Sequence, residues 1–299
     1  MAPRITCSRT VHTSLRLSKT QSSRFSTSPT HYNQPPPTPI ETKPLNARWL
    51  NNTKTRLGKC ITFGLKDDQV QEAGSILKEL ATDWRTLIAG SEGFLTGEGR
   101  RGLWNHAVVW GEMDSMWTKL AMADTPNKGH VNNVIYNRYA ESARVNWTRN
   151  FAASIDPVHA HEWSQLGTNK GTGMILRSIK TDFKFPMTYP DHITVLHKLA
   201  TPPSVSTDHF ILDVVIFSER HQRPAARLVE DIVVYDYVRG KKAPLKPFMV
   251  DGFQQVWREQ ESARVEVGKR VNNIEERVRE IEKASWDRAD AVEDMGSAS

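Results

Sequence analysis

Val109-Trp110-Gly111-Glu112-Met113-Asp114-Ser115-Met116 and Gly129-His130-Val131-Asn132-Asn133-Val134-Ile135-Tyr136 are the two strings on which the fold turns. A short strand-like run, Val108-Val109-Trp110, enters the first, and the second opens a helix. Between Val131 and Phe151 the residues Val131, Ile135, Tyr139, Ala143 and Trp147 recur every fourth position and make one ridge. Strand-like alternation then returns four times. Ile175, Arg177, Ile179, Thr181, Phe183 and Phe185 share one face, and Ile193, Val195, His197 and Leu199 another; Phe210–Phe217 and Arg227–Val238 are longer β-branched runs. Tyr189-Pro190-Asp191 and Thr201–Ser206 supply turns between them. The order β-α-β-β-β-β over residues 103–250 predicts an α+β domain, a curved antiparallel sheet wrapped around a long central helix.

Flanking segments add to this core. Val70, Ala73, Leu77, Leu80, Ala81, Trp84, Leu87 and Ile88 recur at helical spacing, with Asp68 and Gln71 placed as a capping box and Gly90 as the stop, so an extra amphipathic helix over 67–89 is expected. A glycine-rich loop follows to residue 102. At the other end Phe253–Ser285 reads as a long charged helix within a 251–299 tail, with Ala263, Val267, Val271, Ile274, Val278 and Ile281 at three-to-four spacing. That stripe suits a solvated face or a coiled-coil partner equally. Pro35-Pro36-Pro37-Thr38-Pro39 is a stiff spacer, and residues 35–66 read as an extended linker.

The chain has 299 residues, 38% apolar and 25% charged, enough to bury a sizeable core. No run approaches the roughly 18 apolar residues of a membrane span. The net charge of +6 is not spread evenly: Arg4, Arg9, Arg16, Lys19 and Arg24 face no acid before residue 41, and Lys43, Arg48, Lys54, Arg56 and Lys59 face only Glu41. Everything after residue 60 is therefore net acidic, which removes the basic field that nucleic-acid binding needs. Residues 1–34, rich in Ser, Thr and Arg, have the composition of a mitochondrial transit peptide, so a matrix location is expected. The two cysteines, Cys7 and Cys60, leave the body without an internal disulfide, as in a reducing compartment.

The two opening strings, continued by Tyr139, Glu141, Ala143 and Arg144, resemble the signature of the 4-hydroxybenzoyl-CoA thioesterase group of acyl-CoA thioesterases, members of the hotdog-fold superfamily. Carried over position by position, the resemblance makes Asp114 the catalytic carboxylate, as general base or nucleophile, and Glu141 a second candidate. It makes Gly129, His130, Val131, Asn132 and Asn133 the turn and helix start that bind substrate and polarise the thioester carbonyl. That division of labour is physically sound, because acyl transfer needs a base beside the carbonyl and donors for the developing oxyanion, and the open N–H groups of a helix start supply the latter. Glu141 can also be read as an i,i+3 partner of Arg144. The sequence departs from the family string in one respect: Trp117 to Lys128 are extra, so Asp114 stands fifteen positions before Gly129 rather than three.

The resemblance implies an acyl-CoA or acyl-carrier-protein substrate, no metal or other cofactor, and a homodimer or higher homo-oligomer. It leaves open a catalytically inactive hotdog module that binds acyl-CoA or carrier protein, or joins a mitochondrial assembly through the 253–285 helix. Gly97-Glu98-Gly99-Arg100-Arg101-Gly102 matches the spaced-glycine dinucleotide pattern only in letters, since a helix precedes it and a strand follows. Arg100 and Arg101 are instead candidate contacts for a CoA phosphate. Ala89-Gly90-Ser91-Glu92-Gly93 lacks the strand-to-helix turn of a nucleophile elbow, and His159, His161 and Glu162 lack a third ligand at metal-site spacing.

Overall fold

The computed structural model describes residues 45–46, 48–113 and 129–292. The transit-peptide reading of residues 1–34, the proline spacer, Asp114 and the extra residues 117–128 lie outside the described residues.

Helix α1 spans Trp49–Thr62, α2 Asp67–Gly90, α3 Asn133–Asn150, α4 Ala160–Gln165 and α5 Pro247–Ala284. The strands are β1 Leu103–Ala107, β2 Thr172–Phe183, β3 His192–Leu199, β4 His209–Ser218, β5 Arg223–Asp236 and the short β6 Lys241–Lys242. They form one antiparallel sheet in the order β1-β3-β4-β5-β2, with β6 beside β5. One face of this sheet packs on α3, which is the hotdog architecture that the sequence predicts, with the extra N-terminal helix and the long C-terminal one both present.

Alternation along β3 and β4 sends side chains to two separate cores, because both faces are covered. On the inner face Val195, Val214, Ile216 and Leu228 meet Tyr136, Tyr139 and Ala143 of α3. Further along the helix Leu199, Phe210, Leu212 and Ile232 meet Trp147, Phe151 and Trp163. On the outer face Leu196, Val215 and Phe217 pack against Ile76, Leu80, Trp84 and Leu87 of α2, and with them Val267, Val271, Ile274 and Val278 of α5. The apolar stripe of the C-terminal helix is thus occupied by its own chain, neither solvated nor left for a coiled-coil partner. Burying a Val or Ile fully contributes about 1.5–3 kcal/mol relative to exposure, so the stripe anchors α5 firmly.

Four sequence expectations change. Within the 35–66 segment read as extended, Trp49–Thr62 is helical: Trp49, Leu50, Thr53, Leu57 and Cys60 are buried at helical spacing beneath a polar face. The cap of α2 lies two residues earlier than expected, with Gln69 Oε1 accepting from the Lys66 amide at 3.0 Å. The first strand ends before Val108. Beyond it the Val109 amide donates to Glu112 Oε2 at 2.9 Å and closes a 3-10 turn over Trp110–Met113, so a side-chain carboxylate takes the place of a ladder partner. In β2 the register shifts between Leu176 and Ser178, which leaves Arg177 as an extra residue. Met174 and Ile179 therefore both reach the inner cores, whereas Arg177 pairs outward with Asp231, so the face expected from Ile175 to Phe185 is split in two.

The close approach of β1 to α3 depends on Gly102. A Cβ there would lie 2.7 Å from Ala143 Cβ and 2.7 Å from the Val195 carbonyl oxygen. Gly102→Ala is expected to cost about 1–3 kcal/mol by overpacking, read as a lower urea midpoint with unchanged slope.

Candidate active site

The start of α3 is held by the two segments that flank it in space. The Asn132 side chain caps the helix, accepting from Val134 N at 3.2 Å, and its own amide donates to the Glu112 carbonyl at 2.9 Å. The Val131 amide donates to the Met187 carbonyl at 2.8 Å, and Tyr136 Oη accepts from the Met187 amide at 3.1 Å. His130 Nδ1 lies 3.1 Å from the Val131 carbonyl, fixing the turn after Gly129. The turn Trp110–Met113, the helix start and the segment before β3 thus form one stitched unit.

Of the amides expected to polarise a carbonyl, those of Val131 and Asn132 are taken by Met187 and Glu112. Val134 and Ile135 donate to Asn132. Among residues 131–135 the Asn133 amide alone has no acceptor among the described residues. It is the first N–H of the helix, where the partial positive charge of the helix end is concentrated. Trp110, Val134 and Tyr189 are exposed on the stitched elements, with Trp110 edge-on to Tyr189 at 5.8 Å. The arrangement combines one unsatisfied helix-start donor with exposed apolar side chains on the elements stitched to it.

Glu112 is the residue that the signature reading passed over, and its role is to hold the site in place. Its carboxylate accepts from the Val109 amide and in a short hydrogen bond from Tyr139 Oη. Burial, and then that hydrogen bond, push the Tyr139 phenol well above its ordinary pKa, so it remains a donor at every physiological pH. Tyr139→Phe is expected to lower stability by about 1.5–3 kcal/mol, the worth of a hydrogen bond to a charged group. Chemical denaturation measures it.

Glu141 sits on an exposed face of α3. The i,i+3 pair with Arg144 does not form, because Arg144 Nη1 donates instead to Glu230 Oε1 at 2.5 Å. Glu230 is fully buried, as is His197, whose Nε2 lies 3.4 Å from Glu230 Oε2, too far and too poorly aligned for a full hydrogen bond. Burial alone would raise the Glu230 carboxyl, but His197 and Arg144 hold it below its ordinary value. This cluster was legible in part: Glu230 and His197 each interrupt an inward-facing apolar alternation, Leu228-Glu230-Ile232 and Val195-His197-Leu199.

Arg100 and Arg101, candidates for phosphate contact, are engaged within the fold. Arg100 makes a two-pronged pair with Glu259 of α5, at 2.7 and 2.9 Å. Arg101 donates to the Thr96 carbonyl and stacks on Trp104 at 3.8 Å. The Arg100 fork is taken up in fastening the glycine-rich loop to α5, whereas Arg101 gives one nitrogen to that loop and its two terminal nitrogens make no hydrogen bond among the described residues. His159 Nδ1 pairs with Asp156 at 2.9 Å, and among the described residues no three His, Cys, Asp or Glu side chains converge as a metal site. No helix among the described residues is long and apolar enough to cross a membrane.

Residues 108–253 match the family model described as the thioesterase-like superfamily. No curated protein matches the chain significantly. Among solved structures, the chain is similar to a thioesterase from Thermus thermophilus complexed with coenzyme A and Zn, at 18% identity and TM-score 0.38, over 54% of this chain and 96% of that one. It is similar to a putative thioesterase from Pseudomonas aeruginosa at 20% identity and TM-score 0.35, over 47% and 88% of the two chains. A 1,4-dihydroxy-2-naphthoyl-CoA thioesterase from Synechocystis aligns at 20% identity and TM-score 0.34, over 44% and 88%.

Proposed function

We propose that this chain, whose residues 108–253 form a domain of the thioesterase-like superfamily, hydrolyses an acyl thioester at the start of α3. The observation that carries the reading is the open Asn133 amide, the first N–H of a helix start stitched to elements that expose Trp110 and Tyr189. A thioester carbonyl placed there gains the helix-end field as its oxygen becomes an oxyanion. Asp114 directly follows the Trp110–Met113 turn in sequence, and that turn is fixed to the helix start through the Glu112 carbonyl. Its role is general base on water or nucleophile on the carbonyl carbon, with CoA thiolate as leaving group. Glu141 is the second carboxylate, two turns down the same helix.

The substrate reading is an acyl-CoA or acyl-carrier protein. Among the described residues strand β2 closes one edge of the sheet and exposes Leu176 and Phe183, which supports pairing with a second copy as a homodimer. The acid-free, Arg- and Ser-rich residues 1–34 support delivery to the mitochondrial matrix. A binding module without turnover is the second reading, favoured by the twelve residues that separate Asp114 from its place in the family string. Thiol release from a panel of acyl-CoAs by the purified chain, run beside binding of the same ligands, tests the proposal. Turnover above the spontaneous rate supports hydrolysis, and binding without turnover supports the module.

A further inference from the structure

Behind the second half of α3 lies a cavity of about 470 Å³ that no step above uses. Its apolar wall includes Trp147, Trp163, Met174, Phe210, Leu212 and Ile232, and its volume falls in the range of small-molecule sites. Arg144 lines it too, with its side chain only slightly accessible. One guanidinium nitrogen is held by Glu230, and the other two make no hydrogen bond among the described residues. Both keep some solvent access, and Arg144 borders this cavity. Glu230 already balances the Arg144 charge, and Arg149 and Glu141 on the same cavity oppose each other. The site therefore has hydrogen-bond donors to satisfy and no net charge to neutralise.

We propose that this cavity receives the far end of a long acyl chain carrying one uncharged oxygen, a hydroxyl or a ketone, which accepts from the free nitrogens of Arg144. The inference rests on the thioester-hydrolase reading for the position of the carbonyl. Arg144 is eleven positions beyond Asn133, about 16 Å along the helix axis. An extended chain advances about 3.5 Å for every three bonds, so roughly fourteen bonds separate a carbonyl at Asn133 from an oxygen at Arg144. Val134, Arg138, Glu141 and Val145 form an exposed stripe on α3 that leads from one to the other. A wholly apolar tail would strip water from the Arg144 donors without replacing it, whereas one oxygen acceptor restores the bond.

Binding of two probes to the full chain tests this apart from catalysis: methyl tetradecanoate and methyl 14-hydroxytetradecanoate, neither of them a thioester. The hydroxy ester is expected to bind about tenfold more tightly, a preference of the size that one hydrogen bond from a charged donor supplies. Arg144→Met should erase that preference. Should that variant fail to fold, Arg144→Lys keeps the charge opposite Glu230 while losing the second prong, and should shrink the preference. Leu176→Trp, at a half-exposed wall position on β2, should weaken both probes by filling the cavity. Equal binding of the two esters, a preference that survives both Arg144 variants, or indifference to Leu176→Trp overturns the proposal. Absence of thiol release with the preference intact counts against the hydrolase reading alone, and release without the preference counts against the cavity alone.

Discussion

Glu230→Ala is expected to destabilise the fold by about 3–5 kcal/mol, the usual cost of removing one partner from a buried ion pair. The carboxylate is wholly inaccessible and accepts from Arg144, and His197 faces it from β3 with neither ring nitrogen hydrogen-bonded. Without it a largely buried guanidinium loses its counter-charge and His197 loses the carboxylate it faces. Replacing the whole cluster, as Arg144→Met with Glu230→Leu and His197→Phe, is expected to be near neutral or stabilising, because the desolvation cost disappears along with the attraction. The contrast between the single and triple variants in urea titration separates an ion pair kept for stability from one kept for another use. Retention of so costly a cluster beside a cavity accords with the ligand role of Arg144.

The same residue gives a pH dependence of definite sign. The folded-state pKa of Glu230 lies below its ordinary value of 4.5. Its contribution is therefore complete above that ordinary value and fades as pH falls through the lower folded value. In Glu230→Ala the acid limb of the stability curve should flatten over that window, as measured by thermal melts at stepped pH.

How much of this was readable from the residues alone differs by element. The core order of one helix and five strands was legible, because ridges such as Ile135-Tyr139-Ala143-Trp147 and alternations such as Val214-Ile216 report helix and strand periods directly. Helix α1 was hidden by Asn51, Asn52, Lys54 and Thr55, polar residues that mask a thin apolar stripe made sense of only by α5. The bulge at Arg177 has no mark in the sequence: alternation continues across it, and only the partner strand reveals the shift. The fate of the 253–285 stripe was undecidable locally, since a stripe states that something covers it and does not name the cover. At the site, the signature located the helix start, but backbone hydrogen bonds decide which of its amides stay open. Those of Val131 and Asn132 go to Met187 and Glu112, residues whose proximity is a product of the tertiary fold.

Asp114→Asn is expected to reduce thioester hydrolysis by about 10²–10⁴-fold, the contribution of a positioned acid–base group, or by more if the carboxylate is the nucleophile. The amide keeps the size of the acid and removes its basicity, so folding should be unchanged. Glu141→Gln discriminates the second candidate: with Asp114 as the catalytic group, this variant should retain most of the wild-type kcat. Loss in Glu141→Gln alone would move the chemistry two turns along α3, to the mouth of the cavity, and away from the Asn133 amide.

The most direct measurement is thiol release from a long-chain acyl-CoA by the wild-type chain and by Asp114→Asn, at matched concentrations and with matched melting curves. Release well above the spontaneous rate in the first and close to it in the second is expected. An Asp114→Asn protein as active as wild type, or a wild type that binds acyl-CoA and releases no thiol, would contradict a hydrolytic carboxylate at the head of α3.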